Sequence, residues 1–283
     1  MFISKDLGAL CVLYNPSNSI VSNIRSWTKL FDRIIIVDNS DNNNVVVEFE
    51  NYEKITVINN HDNLGIAKAL NQGCKKAIMM GIKWLFTFDQ DSKPEKGLLQ
   101  AYTSYLENNA NDNLGILTCK IKCCETDIIH ATQGITDVLH CWTSGSLMNL
   151  NAYKSTNGFK DDLFIDYVDF AYCLDLRKKG YVIKRLDNYV LNHHLGNSVM
   201  YSIFGYKFYV TNHSPLRRYY MTRNSLRISK MYGKDFPEFK FTIIKLMKVI
   251  FKILIFENNK LEKLFAIKEG FLDYKSNHFG RKI

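Results

Sequence analysis

Trp84-Leu-Phe-Thr-Phe-Asp-Gln-Asp-Ser92 is a short apolar run that ends in two carboxylates, with Pro94 close behind. Trp84–Phe88 has the length of a buried strand, and Pro94 sets the start of the next helix. Asp89–Ser92 therefore leaves the carboxyl end of a strand. In extended backbone, positions i and i+2 share a side, so Asp89 and Asp91 are expected to offer both carboxylates to one hard cation while Gln90 points away. Mg²⁺ or Mn²⁺ held in this way completes its shell with phosphate oxygens and water, which suits a nucleoside diphosphate. An isolated Asp-x-Asp is more often an acidic surface turn, so its surroundings decide.

Upstream, Leu7–Tyr14 and Arg33–Asp38 read as central parallel strands. Between them Ser17–Leu30 carries Ile20, Ile24, Trp27 and Leu30 at helical spacing. Lys54–Asn59 is a third strand. The helix after it shows Leu64, Ala67, Leu70, Cys74, Ala77 and Ile78 on one face, ends at Gly81, and has Asp62 or Asn63 as its cap. In an open parallel sheet, ligands collect beyond the carboxyl ends of the strands. Tyr14-Asn15, Asp38-Asn39, Asp62-Asn63 and Asp89–Asp91 all fall at such ends and should line one crevice. Beyond about residue 120 the alternation loosens. A strand around Trp142–Ser146, a helix over Val168–Gly180 and strands at Tyr181–Arg185 and Tyr189–His193 are expected there, followed by helices over His213–Met231 and Phe236–Tyr274, the second broken near Asn258-Asn259.

A chain of 283 residues with 46% hydrophobic content can bury a full core. The net charge is +9, and ten Lys/Arg against five acids lie in residues 237–283. The basic residues thus concentrate away from the strand-end loops, and no nucleic-acid motif occurs, which argues against a nucleic-acid partner. A dinucleotide-binding turn is excluded, because Tyr14-Asn-Pro16 stands where Gly-x-Gly-x-x-Gly would be needed. Seven cysteines without disulfide-scaffold spacing fit a reducing compartment. Cys119, Cys123, Cys124, His130, His140 and Cys141 raise a zinc question, but no Cys-x-x-Cys pair supports it. Lys5 and Asp6 put charge where a secretory apolar stretch would lie, so a cytoplasmic location is expected.

Two further groups carry chemistry. Asp161, Asp162, Asp166 and Asp169 precede or begin a helix, where acids favour the dipole, yet Asp166 and Asp169 sit among Phe164, Ile165, Tyr167, Val168 and Phe170. Either is a candidate general base. His193 and His194 end a strand, and a neutral imidazole there is a candidate third metal ligand.

Several segments together resemble the bacterial family 2 glycosyltransferases of GT-A fold, and most closely their rhamnosyltransferase branch. They are Tyr14-Asn-Pro16, Val37-Asp-Asn-Ser40, Asn63–Asn71, Phe88–Ser92, Thr143–Ser146, Phe164–Asp169, His193-His-Leu-Gly196 and Arg217–Asn224, in that order. The resemblance implies an α/β fold with a mostly parallel Rossmann-like sheet: a nucleotide-sugar-binding half over residues 1–120, an acceptor-binding and catalytic-base half over 121–235, and C-terminal amphipathic helices over 236–283. It implies that Asp38 contacts a pyrimidine base, with Tyr14, Asn15, Asn63, Asp89 and Gln90 lining the donor. Asp89, Asp91 and His193 would hold Mg²⁺ or Mn²⁺, and Asp169, with Asp166 in reserve, would be the base of an inverting displacement. Trp142, Ser144, Gly145, Arg217 and Arg223 would face the acceptor or the phosphates. Ala171 and Asn197 depart from acids that the family often carries.

The implied activity is transfer of a sugar, L-rhamnose from dTDP-rhamnose, to a saccharide or lipid-linked saccharide in bacterial surface polysaccharide synthesis. Another nucleotide sugar, carrying galactofuranose or a hexose, is the alternative donor; outside this class stands a basic, non-catalytic, membrane-associated binding protein. Phe241–Phe256 is apolar with Lys245, Lys248 and Lys252 along one stripe. It is too short to span a bilayer and suits either the inner leaflet of the cytoplasmic membrane or a second copy of the chain in a homo-oligomer.

Overall fold

The structure, a computed structural model, describes residues 4–41, 48–49, 52–94, 96–109, 113–122, 133–192, 199–203, 206–240 and 242–282. Elements follow in chain order: β1 (Leu7–Leu13), α1 (Asn18–Trp27), β2 (Ile34–Asp38), β3 (Ile55–Asn59), α2 (Ile66–Met79), β4 (Trp84–Asp89) and α3 (Lys96–Asn108). Then come β5 (Leu114–Lys122), β6 (Ile135–Asp137), β7 (Ser146–Asn149), α4 (Leu150–Thr156), α5 (Val168–Lys178) and β8 (Val182–Asn192). A hairpin of β9 (Val199–Ile203) and β10 (Tyr206–Val210) and the helices α6 (Pro215–Tyr232), α7 (Thr242–Phe256) and α8 (Lys260–Lys275) complete the chain.

The described residues fall into two compact units. The first runs through β8; the second holds Ile165–Tyr167 together with everything from β9 onward. In the first, eight strands form one sheet in the order β3-β2-β1-β4-β7-β5-β8-β6. β1, β2, β3 and β4 pair in parallel, whereas β7 runs antiparallel between β4 and β5. β1 and β2 are almost wholly buried, which is why they read as continuous apolar runs. The sheet continues across residue 120, because β5 and β8 belong to it.

Alternation along β4 sorts its residues. Phe86 and Phe88 stack at 6.0 Å and pack among Trp27 and Phe31 from the α1 segment and Tyr102 from α3. Thr87 and Asp89 take the opposite face, so one strand both anchors the aromatic core and delivers a carboxylate to its carboxyl end.

In the second unit, Glu257 is buried between Arg218 and Lys263, with Lys263 Nζ at 2.9 Å. This triad ties α6 to the junction of α7 and α8, and a buried carboxylate needs such partners. Asn259, left-handed at φ 53°, breaks the helix where the Asn258-Asn259 pair predicts.

Candidate active site

The expected strand-end loops do converge within the first unit, and hydrogen bonds stitch them together. The Tyr14 N–H donates to Gln90 Oε1 (3.0 Å), joining the loop after β1 to the loop after β4. The Asn15 N–H donates to Ser40 Oγ (2.8 Å), and the Ser40 hydroxyl and N–H donate to Asp38 Oδ1 (2.7 and 3.1 Å). Asn39 links β2 to β3: its Nδ2 donates to Asn63 Oδ1 (3.0 Å), and its Oδ1 accepts from Asn60 Nδ2 and the Leu64 N–H. Asn63 Oδ1 also accepts from the Gly65 N–H, so Asn63 secures the loop before α2. The side-chain cap expected of Asp62 or Asn63 is not made; Gly65 occupies the cap position. Gly65 is required there, since at φ 85° an added Cβ would lie 2.6 Å from Phe164 Cδ2.

Asp38 is fully buried, and its Oδ2 has no hydrogen-bond partner among the described residues. An orphaned buried carboxylate oxygen is costly, and a donor brought by a ligand relieves the cost. The Asn15–Ser40–Asp38 chain occupies Oδ1 alone. Tyr14, 47% exposed, stands at the same edge.

Strand alternation places Asp89, the last residue of β4, but not Asp91, which the sequence reading puts on the same extended run. The Ser92 N–H donates to the Asp89 carbonyl (2.9 Å), closing a turn directly after the strand. Asp89 is half-buried and Asp91 exposed on this turn. Both still act on one spot: the Cys11 thiol is pushed up by burial first and then by the charges of Asp89 and Asp91. Gln90 bonds to the Tyr14 main chain, which makes it a brace between the loops after β1 and β4. Carboxylate oxygens are the hard donors that Mg²⁺ and Mn²⁺ prefer, so this pair fits an ion that shares its shell with phosphates. Among the described residues no cluster of three metal-ligating side chains occurs. His193, the expected third ligand, and His194 lie outside the described residues, as do Cys123, Cys124 and His130.

Trp142–Gly145 is a turn; the strand expected there begins only at Ser146. The Ser146 N–H closes the turn on the Thr143 carbonyl (3.1 Å), with Gly145 at φ 73°. An added Cβ on Gly145 would meet Leu191 Cδ2 at 2.7 Å. Ser144 is buried, its Oγ accepting from the Asp89 N–H (3.1 Å) and lying 2.8 Å from Ser92 Oγ. The Gly145 N–H donates to the Thr87 carbonyl (2.8 Å), while its carbonyl accepts from the Tyr102 hydroxyl (2.8 Å). Ser144 thus braces the Asp89 turn, and Gly145 ties the same loop to Thr87 and Tyr102. Trp142 remains half-buried at the start of this turn.

Asp169 opens α5 and accepts its neighbour Phe170's N–H (2.9 Å). Asp161 has a structural task, accepting from Asn71 Nδ2 at 2.6 Å. In the second unit, Asp166 is held by Arg217, Nη2 to Oδ1 at 2.8 Å. Phe164, Asp166 and Tyr167 all have positive φ, between 61° and 65°, a strained run without a glycine. Asn224 Nδ2 supports it by donating to the carbonyls of Ile165 (2.7 Å) and Asp166 (3.1 Å).

Arg223 is 1% exposed. Its guanidinium donates to Asn224 Oδ1, the Tyr219 hydroxyl and the Gly280 carbonyl, and lies over the Tyr219, Tyr220 and Phe279 rings. That burial sets it in the core of the second unit, where it orients Asn224. Ser40, Ser92 and Asn224 were given no role in the sequence reading, although all three lie inside the recognised segments.

Residues 12–165 match the family described as Glycosyl transferase family 2. The dTDP-rhamnosyl transferase RfbF of Shigella flexneri is 27% identical over 241 residues, covering 79% of each chain. Among solved structures, S. aureus TarS 1–349 in complex with UDP-GlcNAc superposes with a TM-score of 0.62 at 14% identity, over 95% of this chain and 81% of that one. GalNAc-T7 with UDP, GalNAc and Mn²⁺ gives 0.61 at 10% identity, over 96% and 57%. These two likenesses speak for the GT-A fold alone. With the family matched over more than half its length, the chain belongs to glycosyl transferase family 2.

Proposed function

We propose that this glycosyltransferase is an inverting rhamnosyltransferase that uses dTDP-rhamnose and a saccharide or lipid-linked saccharide acceptor in building a bacterial surface polysaccharide. The observation that carries the donor reading is the unpartnered Oδ2 of buried Asp38. Thymine and uracil present an N3–H donor, which completes that carboxylate; cytosine has an acceptor at the same position. The S. flexneri relative, by its name a dTDP-rhamnosyl transferase, supports thymidine and rhamnose.

Asp89 and Asp91 would hold Mg²⁺ or Mn²⁺, with His193 as a further ligand, and the bound ion supplies charge neutralisation to the departing diphosphate. Ser144 keeps the Asp89 turn in place through the Asp89 N–H. Asp169 takes the proton of the acceptor hydroxyl as that oxygen bonds to the anomeric carbon. The bond from that carbon to the diphosphate oxygen breaks, and its electron pair leaves with dTDP. Attack from the face opposite the leaving group inverts the anomeric centre.

The C-terminal helices support a place at the inner face of the cytoplasmic membrane. Ile243, Ile244, Met247, Phe251, Leu254 and Ile255 form one face of α7 and are 48–64% exposed. Leu261, Phe265 and Leu272 extend such exposure onto α8. Patches of this size mark association sites, and exposed Lys248 borders this one as anionic lipid would require. Among the described residues, no helix is long and apolar enough to cross a membrane.

A thermal-shift panel of dTDP-rhamnose, UDP-hexoses and UDP-galactofuranose, with and without Mn²⁺, tests the donor, because a true donor stabilises the folded state by mass action. Mn²⁺-dependent stabilisation greatest for dTDP-rhamnose, with dTDP released on adding acceptor, is expected. Preference for another nucleotide sugar reassigns the donor, and the absence of any stabilisation sinks the reading.

A further inference from the structure

One stretch of chain, from Val138 to Ser146, borders both the base and the carboxylate turn. Its first half lies along α5. The Arg177 guanidinium donates to the Val138 carbonyl, Cys173 Sγ lies 3.9 Å from Cys141 Sγ, and the His140 and Phe170 rings are 4.2 Å apart. Phe170, Cys173 and Arg177 recur at spacings of three and four on one face of that helix, and Phe170 directly follows Asp169. The second half is the turn whose Ser144 braces Asp89. A group seated against the middle of this stretch lies beside both.

A cavity of 380 Å³ is there, within the ~300–1,000 Å³ typical of small-ligand sites, with Lys120, Ile121, Val138, His140, Trp142 and Arg185 in its wall. Among the described residues, the lining holds two cations and no carboxylate. Asp187 stands behind it and meets both cations. Arg185 donates to it through Nε alone (2.7 Å), and Lys120 Nζ approaches the same oxygen at 3.9 Å. Arg185 keeps its terminal nitrogens, the planar fork that binds carboxylate or phosphate in pairs. Trp142 adds an aromatic face of the kind that ligand pockets use as an apolar platform.

We infer that this cavity binds the acceptor through a negatively charged substituent, a carboxylate or a phosphate on its saccharide, with Arg185 and Lys120 as the charge partners and Trp142 as the platform for the sugar ring. The inference rests on the glycosyltransferase reading above and adds the class of acceptor: an acidic saccharide.

The test is a titration of the full chain, saturated with dTDP and Mn²⁺ so that the donor-phosphate site is filled. The probes are methyl glucuronide, glucose 6-phosphate and neutral methyl glucoside. At least one charged probe is expected to bind about tenfold more tightly than the neutral one. The preference should vanish in Arg185→Gln and Lys120→Gln and be reduced but still present in Arg185→Lys, which keeps the charge and loses the fork. The glucuronide alone assigns a carboxylate, and the sugar phosphate alone a phosphate. Equal affinity for charged and neutral probes, no binding of either charged probe at millimolar concentration, or a preference kept in both Gln variants overturns the inference. The dTDP saturation step reads the donor site separately: failure there sinks the donor reading, whereas dTDP binding without charge preference sinks only the acidic acceptor.

Discussion

Arg217 Nη2 lies 2.8 Å from Asp166 Oδ1, so the carboxylate that competes with Asp169 for the role of base already has a cationic partner. Arg217 is half-exposed while Asp166 is largely buried. An acid engaged in this way positions a backbone; it is poorly placed to turn an oxygen toward an acceptor hydroxyl. The positive φ of Asp166 and Tyr167 fits that view, since such a stretch needs holding, and Asn224, through the Ile165 and Asp166 carbonyls, and Arg217 hold it. Asp169→Asn is therefore expected to lower kcat by ~10²–10⁴ with the donor KM little changed. Asp166→Asn should keep turnover within about tenfold and lose about 1 kcal/mol of stability, the scale of a partly exposed ion pair. Steady-state kinetics on both variants decide; the reverse pattern hands the base to Asp166.

Base discrimination follows from Asp38. Its Oδ1 is occupied by Ser40 and its Oδ2 awaits a donor, so dTDP and UDP should bind at least about tenfold more tightly than CDP, the cost of leaving a buried acceptor facing another acceptor. In Asp38→Asn the amide can offer either a donor or an acceptor, and the three nucleotides should bind alike. Calorimetry with the three diphosphates measures this, and undiminished discrimination in the variant would remove Asp38 from the base site.

Much of this was legible in the chain itself. Buried parallel strands are written as unbroken apolar runs, so β1 to β4 and the polar residues at their ends stood out, and with them Asp38, Asp89 and Asp91. What stayed hidden had no local signature. β5 was missed because its second half, Cys119-Lys-Ile-Lys122, alternates apolar with charged residues and its pairing with β8 is remote in sequence. Arg223 has the chemistry of a phosphate ligand and the environment of a core residue; only packing against Tyr219, Tyr220 and Phe279 separates the two. The strain at Phe164, Asp166 and Tyr167 has no glycine to announce it. The turn after Asp89 replaced the expected extended backbone because one main-chain hydrogen bond, from the Ser92 N–H, outweighs strand continuation where the sheet ends.

Ser144 touches no ligand in the mechanism above, yet its Oγ holds the Asp89 N–H and Ser92 Oγ. Supports of this kind typically contribute ~10–100-fold to metal affinity or activity. Ser144→Ala should raise the Mn²⁺ concentration for half-maximal donor binding by roughly tenfold, at the lower end of that range. Saturating Mn²⁺ should restore much of the turnover, and a variant with unchanged Mn²⁺ dependence would show that the turn holds itself.

His213 supplies a pH dependence in the second unit. Burial, followed by the charges of Arg217 and Arg218, lowers its pKa to about 4 from an ordinary value of 6.5. The unfolded chain then binds a proton that the folded chain refuses between those values, so stability rises with pH across that window. The contribution is present above pH 6.5 and disappears as pH falls toward 4. Melting curves from pH 7 down to 4 should fall more steeply for the wild type than for His213→Gln; parallel curves would assign the acid sensitivity elsewhere.

The helix α7 is apolar on two sides, and the sides do different things. Thr242 and Ile253 face inward and are buried, while Ile243, Met247 and Phe251 are each more than 60% exposed. The lysine stripe seen in the sequence is partly spent within the second unit: Lys245 Nζ donates to the Glu238 carbonyl (2.8 Å) and Lys252 Nζ to that of Tyr209 (3.1 Å). Lipid binding would therefore be led by apolar burial, with charge secondary. Raising salt should weaken flotation on anionic liposomes only modestly, because exposed charges are screened whereas buried apolar area is not. Replacing Ile243, Met247 and Phe251 together by Glu should abolish flotation and leave the melting temperature within a few degrees, since these side chains contribute little to the protein's own core. If the triple variant floats as the wild type does, the membrane role falls. If the wild type fails to float but dimerises, and the triple variant is monomeric, this face belongs to a second copy of the chain.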